Sequence, residues 1–143
     1  MEKNLLYQVR ITLSDAVSEI VRVDPNNSEV GFLFNIAKKN DAQLICQYDA
    51  FVEYCREAEE SQKEHFPLYK WTKATIENPS KREKYLKSFT FYIKGNQIYS
   101  HKKAIRLYEE LQPLMEAGKI NELKMLDNDP ANNPQPPAIY SQT

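Results

Sequence analysis

Two short segments in this sequence place cations at the start of a predicted helix, where acidic residues are usual. They read Ser80-Lys81-Arg82 and Ser100-His101-Lys102-Lys103. The unpaired N–H groups of a helix N-terminus carry partial positive charge and favour Asp or Glu. When lysines lie at the helix start instead, the backbone N–H groups and the lysine side chains both favour an anion. Such an anion could be phosphate, a carboxylate or a nucleic-acid backbone. The predicted anion-binding or partner-binding residues are Ser80, Lys81, Arg82, Lys84, Lys94, Ser100, His101, Lys102, Lys103 and Arg106.

The charge of the chain is unevenly distributed, although its net charge is only −1. Residues 63–106 carry eleven Lys and Arg against three Asp and Glu, net +8, whereas 1–62 are net −5 and 107–143 net −4. The basic segment 63–106 also contains eight aromatic rings. Cations interleaved with rings are typical of nucleic-acid surfaces. The simpler interpretation is that the rings face a core while the lysines stay in water.

Other kinds of active chemistry find little support in the sequence. The two histidines, His65 and His101, have no metal-ligand partner at helical or hairpin spacing. Cys46 is predicted on the polar, carboxylate-rich face of a helix, which disfavours its thiolate. Glu53, Glu57 and Glu60 form one helical face of carboxylates, which is interpreted as a solvated acidic surface. Neither GxxxxGK[ST] nor GxGxxG occurs, so we predict no metal, no cofactor and no catalytic residue.

The overall composition predicts one ordinary domain. The chain has 143 residues, of which 41% are hydrophobic and 27% charged. Its longest apolar stretch is far short of the roughly 20 residues that span a bilayer. The first residues lack the apolar region and cleavage site of a secretory signal. We therefore expect a cytoplasmic protein without a membrane segment.

The N-terminal third combines one strand with two predicted helices. Strict alternation of apolar residues predicts a strand at 5–13. Segment 14–23 suits a short helix capped by Ser14 or Asp15 slightly better than an extended strand. Asp24 followed by Pro25 predicts the start of a helix over 25–39.

The strongest periodic signal predicts a helix over 42–61. Apolar residues from Leu44 to Cys55 fall within one helical stripe that is centred on Phe51. Propensity alone would make AQLICQY, within the same segment, a strand. The stripe favours the helix.

Turn and capping signals define the rest of the chain. Ser80 and Glu83 form a capping box, and Gly95-Asn96 is a hairpin turn between two β-rich runs. The predicted helices are 67–77, 81–87 and 101–117, and the predicted hairpin strands are 89–94 and 97–100.

Together these elements predict an α+β fold. We expect a helix-rich single domain over 1–126, with a small antiparallel sheet formed by the N-terminal strand and the hairpin 89–100. Residues 127–143 are rich in Pro and Asn and predict a disordered tail.

The leading functional hypothesis is a non-enzymatic binding or regulatory module. Its basic segment would engage an acidic partner, either a nucleic acid or an acidic protein surface. A homodimer that joins the −5 segment of one subunit to the +8 segment of another is one form of this hypothesis. The alternative is a small enzyme or ligand-binding protein that holds an anionic small molecule at residues 100–103, with His101 as acid or base.

Overall fold

The computed structural model describes residues 5–129, 131 and 133–141. Its four strands are β1 (Tyr7–Thr12), β2 (Ala42–Cys46), β3 (Ser88–Ile93) and β4 (Glu122–Asp127). Its helices are α1 (Asp15–Val23), α2 (Gly31–Lys39), α3 (Gln47–Glu60), α4 (Pro67–Glu77), α5 (Pro79–Leu86) and α6 (His101–Glu116). Further 3-10 turns lie at Ser28–Val30 and Ala138–Ser141. The predicted α+β class is confirmed.

The strands form one antiparallel sheet in the order β2-β3-β1-β4. β1 is central, so Val9 lies opposite both Phe91 of β3 and Met125 of β4. Because alternate residues of a strand point to opposite faces, the sheet has two chemically distinct sides. We call them the apolar face, which includes Val9 and Phe91, and the polar face, which includes Arg10 and Thr90.

The apolar face carries the hydrophobic core. Helices α1, α2 and α6 cover it, and Leu33, Leu107 and Leu111 are fully buried together with Val9 and Phe91, all at 0% exposure. Ser14 begins α1 as predicted, because its Oγ accepts a hydrogen bond from the Val17 N–H. Burial of these side chains is the main favourable contribution to folding.

The polar face is covered by α3, α4 and α5. Ser88 and Thr90 of β3 are buried there under α3 and α5. The rings of Phe51 on α3 and Tyr85 on α5 meet edge to face, with centroids 5.0 Å apart. This layer therefore brings polar strand residues and aromatic helix residues together.

The predicted helix over 42–61 is wrong in its first five residues. Residues 42–46 form β2, in which Leu44 lies opposite Phe91, and α3 begins only at Gln47. The open edge of β3 provides backbone partners for a β-prone segment, and this pairing overrides the helical stripe. Phe51 is consequently half-buried on the polar side of the sheet and not at the centre of the core.

Two predicted helix starts are also displaced. Asp24 caps the end of α1, so the next helical turn begins at Asn27, whose side chain accepts from the Glu29 N–H. Asn78 caps α5 by accepting from the Lys81 N–H, with Pro79 as the first helical residue. In both places an asparagine replaces the predicted cap.

The predicted hairpin forms only its turn. Ile93 and Asn96 exchange backbone hydrogen bonds across Lys94 and Gly95, both at positive φ. The chain then leaves β3, and Tyr99 instead exchanges two backbone hydrogen bonds with Tyr7 at the start of β1. The strand predicted at 97–100 is therefore wrong, because β1 occupies the edge of β3 that a hairpin partner would need.

The strand β4 was not predicted from the sequence. Leu123 and Met125 alternate with Glu122 and Lys124, but the segment is short and flanked by polar residues. Its last residue, Asp127, lies one position beyond the predicted domain boundary. The 3-10 turn Ala138–Ser141 lies against α4. The division into a domain at 1–126 and a disordered tail stays a prediction.

Several elements agree with their predicted positions. The strand predicted at 5–13 is β1, α4 has the predicted bounds 67–77, and α6 ends one residue before its predicted limit. Gly118 follows α6 with a φ of +76°, a conformation that glycine adopts without strain. None of the helices in the described part of the chain has the length and apolar character needed to cross a bilayer.

Candidate functional site

The ten residues predicted to bind an anion are all exposed, but they occupy separate places. Ser80, Lys81, Arg82 and Lys84 lie on α5, over the polar face of the sheet. Lys94 lies in the turn after β3, and residues 100–106 belong to the cap and first turns of α6, over the apolar face. The two cationic helix starts are therefore on opposite sides of the sheet.

The start of α6 is a capped helix end in water. Ser100 Oγ accepts from the Lys103 N–H at 3.4 Å, and the His101 ring contacts the Tyr7 ring edge to face at a centroid distance of 5.0 Å. Arg106 pairs with Glu110 one turn further along the helix. Residues 100–103 line none of the cavities described below.

A cavity of about 210 Å³ lies between the polar face of the sheet and α5. We call it the cationic cavity, because three cations and one carboxylate line it. Its lining residues are Arg10, Thr12, Gln47, Lys84, Tyr85, Ser88, Glu122 and Lys124. Of these residues, only Lys84 was predicted from the sequence.

Arg10 is the central group of the cationic cavity. Its position on β1 directs the side chain to the polar face, where Nη2 donates to Gln8 Oε1 at 2.5 Å. Its Nε is fully buried and has no hydrogen-bond partner among the described residues. Burial lowers the pKa of Arg10, but guanidinium stays charged at any physiological pH. A half-buried cation is thus left without a carboxylate.

Lys124 adds to this positive charge. It lies directly opposite Arg10 across the β1–β4 ladder, an arrangement of like charges that destabilises a sheet. Glu122 pairs with Lys124 at 3.4 Å and offsets one of the charges. Lys84 Nζ lies 5.3 Å from the centroid of the Tyr85 ring. The lining keeps a net charge of +2, which favours an anion.

Neutral donors complete the lining of the cavity. Gln47 is only 8% exposed, and its Oε1 accepts a hydrogen bond from Ser88 Oγ. Its amide nitrogen has no partner within the described residues, and the same holds for the hydroxyl of Tyr85. Because both groups line the cavity, a ligand or water there can accept a hydrogen bond from each of them. The cavity is therefore rich in donors and poor in acceptors.

The size of the cavity limits what it can hold. Ligand pockets for drug-sized molecules span about 300 to 1,000 Å³. A volume of about 210 Å³ is smaller and suits a single oxyanion group with a few waters. A single phosphate or carboxylate group matches both the chemistry and the volume of the cavity.

The cysteines and histidines do not build a reactive centre in the described part of the chain. Cys46 ends β2 in the buried core, so its predicted place on a polar helix face is wrong. Burial raises the pKa of the Cys46 and Cys55 thiols, which disfavours the reactive thiolate. Within the described residues, no three His, Cys, Asp or Glu side chains are placed to hold a metal ion.

A second, larger cavity of about 640 Å³ lies between α3 and α4 beside β2. It is lined by Ile45, Asp49, Ala50, Phe51, Glu53, Tyr54, Glu57, Leu68, Thr72, Tyr92 and Gln97. Glu53 and Glu57 line this cavity. The acidic face of α3, which was predicted to face water, therefore also forms one wall of the cavity.

Sequence reasoning missed two of the three cations of the cationic cavity. Arg10 carried a usable signal, because it is a permanent cation in the middle of a strand that was predicted to be half-buried. Lys124 carried none, since its strand was not predicted. Comparison with known proteins adds no further guide, because no protein family, curated protein or solved structure matches this chain.

Proposed function

We propose that this protein is a non-enzymatic binding module for an acidic partner, which places one oxyanion group in the cationic cavity. The observation that carries this proposal is the half-buried guanidinium of Arg10, which has no carboxylate partner among the described residues and lines the cavity with two other cations, Lys84 and Lys124. The lining contains no histidine or cysteine, and its only carboxylate is paired with Lys124. Binding is therefore the role that the cavity chemistry favours.

An oxyanion would offset the positive charge that the lining of the cavity leaves uncompensated. Phosphate and carboxylate oxygens accept paired hydrogen bonds from a guanidinium, and such charge-assisted bonds are stronger than neutral ones. The amide of Gln47 and the hydroxyl of Tyr85 line the same cavity and can donate to further oxygens. The ligand would also relieve the repulsion between Arg10 and Lys124.

The outer surface of α5 extends the cationic character beyond the cavity. Lys81 and Arg82 are exposed on the helix that carries Lys84, and Arg82 lies over the Tyr48 ring at 5.4 Å from its centroid. An acidic partner could thus contact α5 while one of its oxyanion groups enters the cavity. Of the residues that were predicted to bind a partner, the proposal therefore retains those on α5. The cytoplasmic location and the homodimer stay predictions.

Thermal unfolding with added phosphate tests the cavity. Inorganic phosphate should raise the midpoint more than sodium chloride of equal ionic strength, because a ligand that binds only the folded state stabilises it. The same titration with sodium acetate tests whether a carboxylate binds. Arg10→Met should abolish the specific shift. Lys102→Gln with Lys103→Gln is the control, since it removes two cations on the opposite side of the sheet. If the control loses the shift and Arg10→Met keeps it, the anion binds at α6 and the proposal is wrong.

A nucleic acid bound at the start of α6 is the second candidate. It is favoured by Lys102 and Lys103, which are exposed and form no ion pair within the described chain. Short RNA and DNA would be titrated at about 50 mM salt, where non-specific binding is strong. Replacing both lysines by Gln should flatten the slope of log affinity against log salt by roughly one to two units. Absence of any association would exclude this candidate.

A further inference from the structure

The cavity between α3 and α4 is part of a longer groove. It shares Phe51, Leu68 and Thr72 with a cavity of about 130 Å³ on one side. On the other side it shares Tyr54 and Glu57 with a cavity of about 270 Å³ that reaches Phe66. We call these three connected cavities the acidic groove. Its elongated form is suited to a peptide segment better than to a compact small molecule.

The α4 side of the acidic groove is apolar and open to water. Leu68 is 48% exposed and Phe66 43% exposed, although both are large hydrophobic side chains. Trp71 lies beside Leu68 in the smallest of the three cavities. A row of exposed apolar residues along a groove is typical of a site that a partner covers.

The α3 side carries one row of carboxylates. Asp49, Glu53 and Glu57 are spaced four residues apart, so they lie on one side of α3, one turn after another. Arg22 pairs with Asp49, and Arg56 pairs with Glu53. Glu57 has no cationic partner among the described residues. Lys63 lines the Phe66 end of the groove. The groove thus combines an apolar floor with an acidic rim on its α3 side, and this rim is only partly neutralised.

We infer that the acidic groove binds an amphipathic helix of another protein, with apolar side chains in the groove and Lys or Arg along its rim. Charge complementarity identifies the occupant, because carboxylates one helical turn apart match cations one turn apart on a docked helix. An acidic rim disfavours nucleic acid and anionic lipid surfaces. This inference does not depend on the cationic cavity.

A second copy of this chain is a poorer occupant. Its cationic helix α5 has no large hydrophobic residue among the exposed ones, and α6 exposes only Met115, far from its N-terminal lysines. Neither helix presents apolar and cationic residues side by side. These two cationic helices therefore do not fit the groove, and the occupant we infer is a helix from a different protein.

The test uses the fluorescence of Trp71, the single tryptophan of the chain. A synthetic 14-residue helical peptide of Leu and Lys would be titrated into the full chain. A peptide with Glu in place of Lys serves as the matched probe of charge. The lysine peptide should change the Trp71 emission in a saturable way, whereas the glutamate peptide should not.

Three variants locate the site. Leu68→Ser should weaken binding by about fivefold, because half of a leucine side chain loses its contact. Glu57→Gln should weaken it by about two- to threefold, in the range of an exposed charge pair. Glu109→Gln is the control, since Glu109 is exposed on α6, on the opposite side of the sheet, and forms no ion pair among the described residues; affinity should be unchanged.

Several outcomes would overturn the inference. Equal binding of the two peptides would remove the argument from charge. Equal weakening by Glu57→Gln and Glu109→Gln would indicate non-specific attraction to acidic side chains, and unchanged affinity in Leu68→Ser would exclude the apolar floor. A dimer of the free chain in sedimentation that Leu68→Ser dissociates would show that a second copy occupies the groove. Inorganic phosphate should not compete with the peptide, which separates this test from that of the cationic cavity.

Discussion

The two faces of the central sheet are built for different tasks. On the apolar face, α1, α2 and α6 close over the strands, and Val9, Phe91 and Leu107 are completely buried. On the polar face, α3, α4 and α5 cover the strands but leave the cationic cavity and the acidic groove. One face is closely packed, and the other leaves polar and charged groups at the walls of cavities.

The difference has a simple physical cause. Apolar side chains can pack against each other in many ways, and close packing excludes water. Polar strand residues such as Arg10 need hydrogen-bond partners, and a helix face seldom provides all of them. Space therefore remains over Arg10, whereas none of the cavities described above opens over Val9.

Removing a phenylalanine from each face should show the largest contrast. Phe91→Ala should lower the free energy of unfolding by about 3 to 5 kcal/mol, because it leaves a cavity in a fully buried cluster. Phe51→Ala should cost less, about 1 to 2 kcal/mol, since Phe51 is half-buried beside open cavities. Urea denaturation followed by circular dichroism measures both. Equal costs would mean that the polar side is packed as tightly as the core.

The stability of the apolar face should depend on pH through one buried tyrosine. The buried hydroxyl of Tyr99 donates to the Phe91 carbonyl and accepts from the Val9 N–H, each at 2.8 Å. Burial raises the pKa of Tyr99 to about 12, whereas an unfolded tyrosine ionises near about 10. The raised folded pKa means that stability is complete below about pH 10 and declines as the pH rises towards 12, by roughly 2 to 3 kcal/mol.

Denaturation at a series of alkaline pH values would measure this decline. Tyr99→Phe should remove most of it, although the variant is less stable at neutral pH because two backbone groups lose their partner. Tyr108→Phe is the control, since the hydroxyl of Tyr108 on α6 forms no hydrogen bond among the described residues. A decline of the same size in the Tyr99→Phe variant would contradict the assignment.

On the polar face, a binding residue should be replaceable without loss of stability. Arg10→Met keeps the aliphatic bulk and removes an unpaired buried cation, so it should leave the free energy of unfolding unchanged or raise it by about 1 kcal/mol. Urea denaturation without phosphate gives this value. A loss of more than about 2 kcal/mol would indicate that Arg10 is needed for the fold and not retained for a ligand.

The smallest effect is expected from the C-terminal residues. Removing 131–143 should change the free energy of unfolding by less than about 0.5 kcal/mol, because Ile139 is 68% exposed where the 3-10 turn meets α4. Removing 127–143 should cost more, since Asn128 exchanges two hydrogen bonds with the Leu6 backbone. Thermal unfolding of both truncations checks the difference.

The sequence predicted those elements whose signals are local. Alternation defines β1, Pro67 and Asn78 bound α4, and Ser100 caps α6, all within a few residues. Strand β2 was mistaken for helix because its partner, β3, is distant in sequence. The cationic cavity depends on the register of β1 and β4, which places Arg10 opposite Lys124. No local sequence pattern predicts this register. Lys84 was predicted for a different reason, as part of a cationic helix start.

The central position of β1 has a consequence for how the chain reaches its native state. β1 precedes both of its neighbouring strands in the sequence. The pairings of Val9 with Phe91 and with Met125 can therefore form only after β3 and β4 have been synthesised. Until then, the alternating apolar row of β1 has no strand on either side. Sheets whose strands are distant in sequence fold slowly, and their unpaired strand edges are prone to aggregation in the meantime. During translation, this strand is where a chaperone would be needed longest.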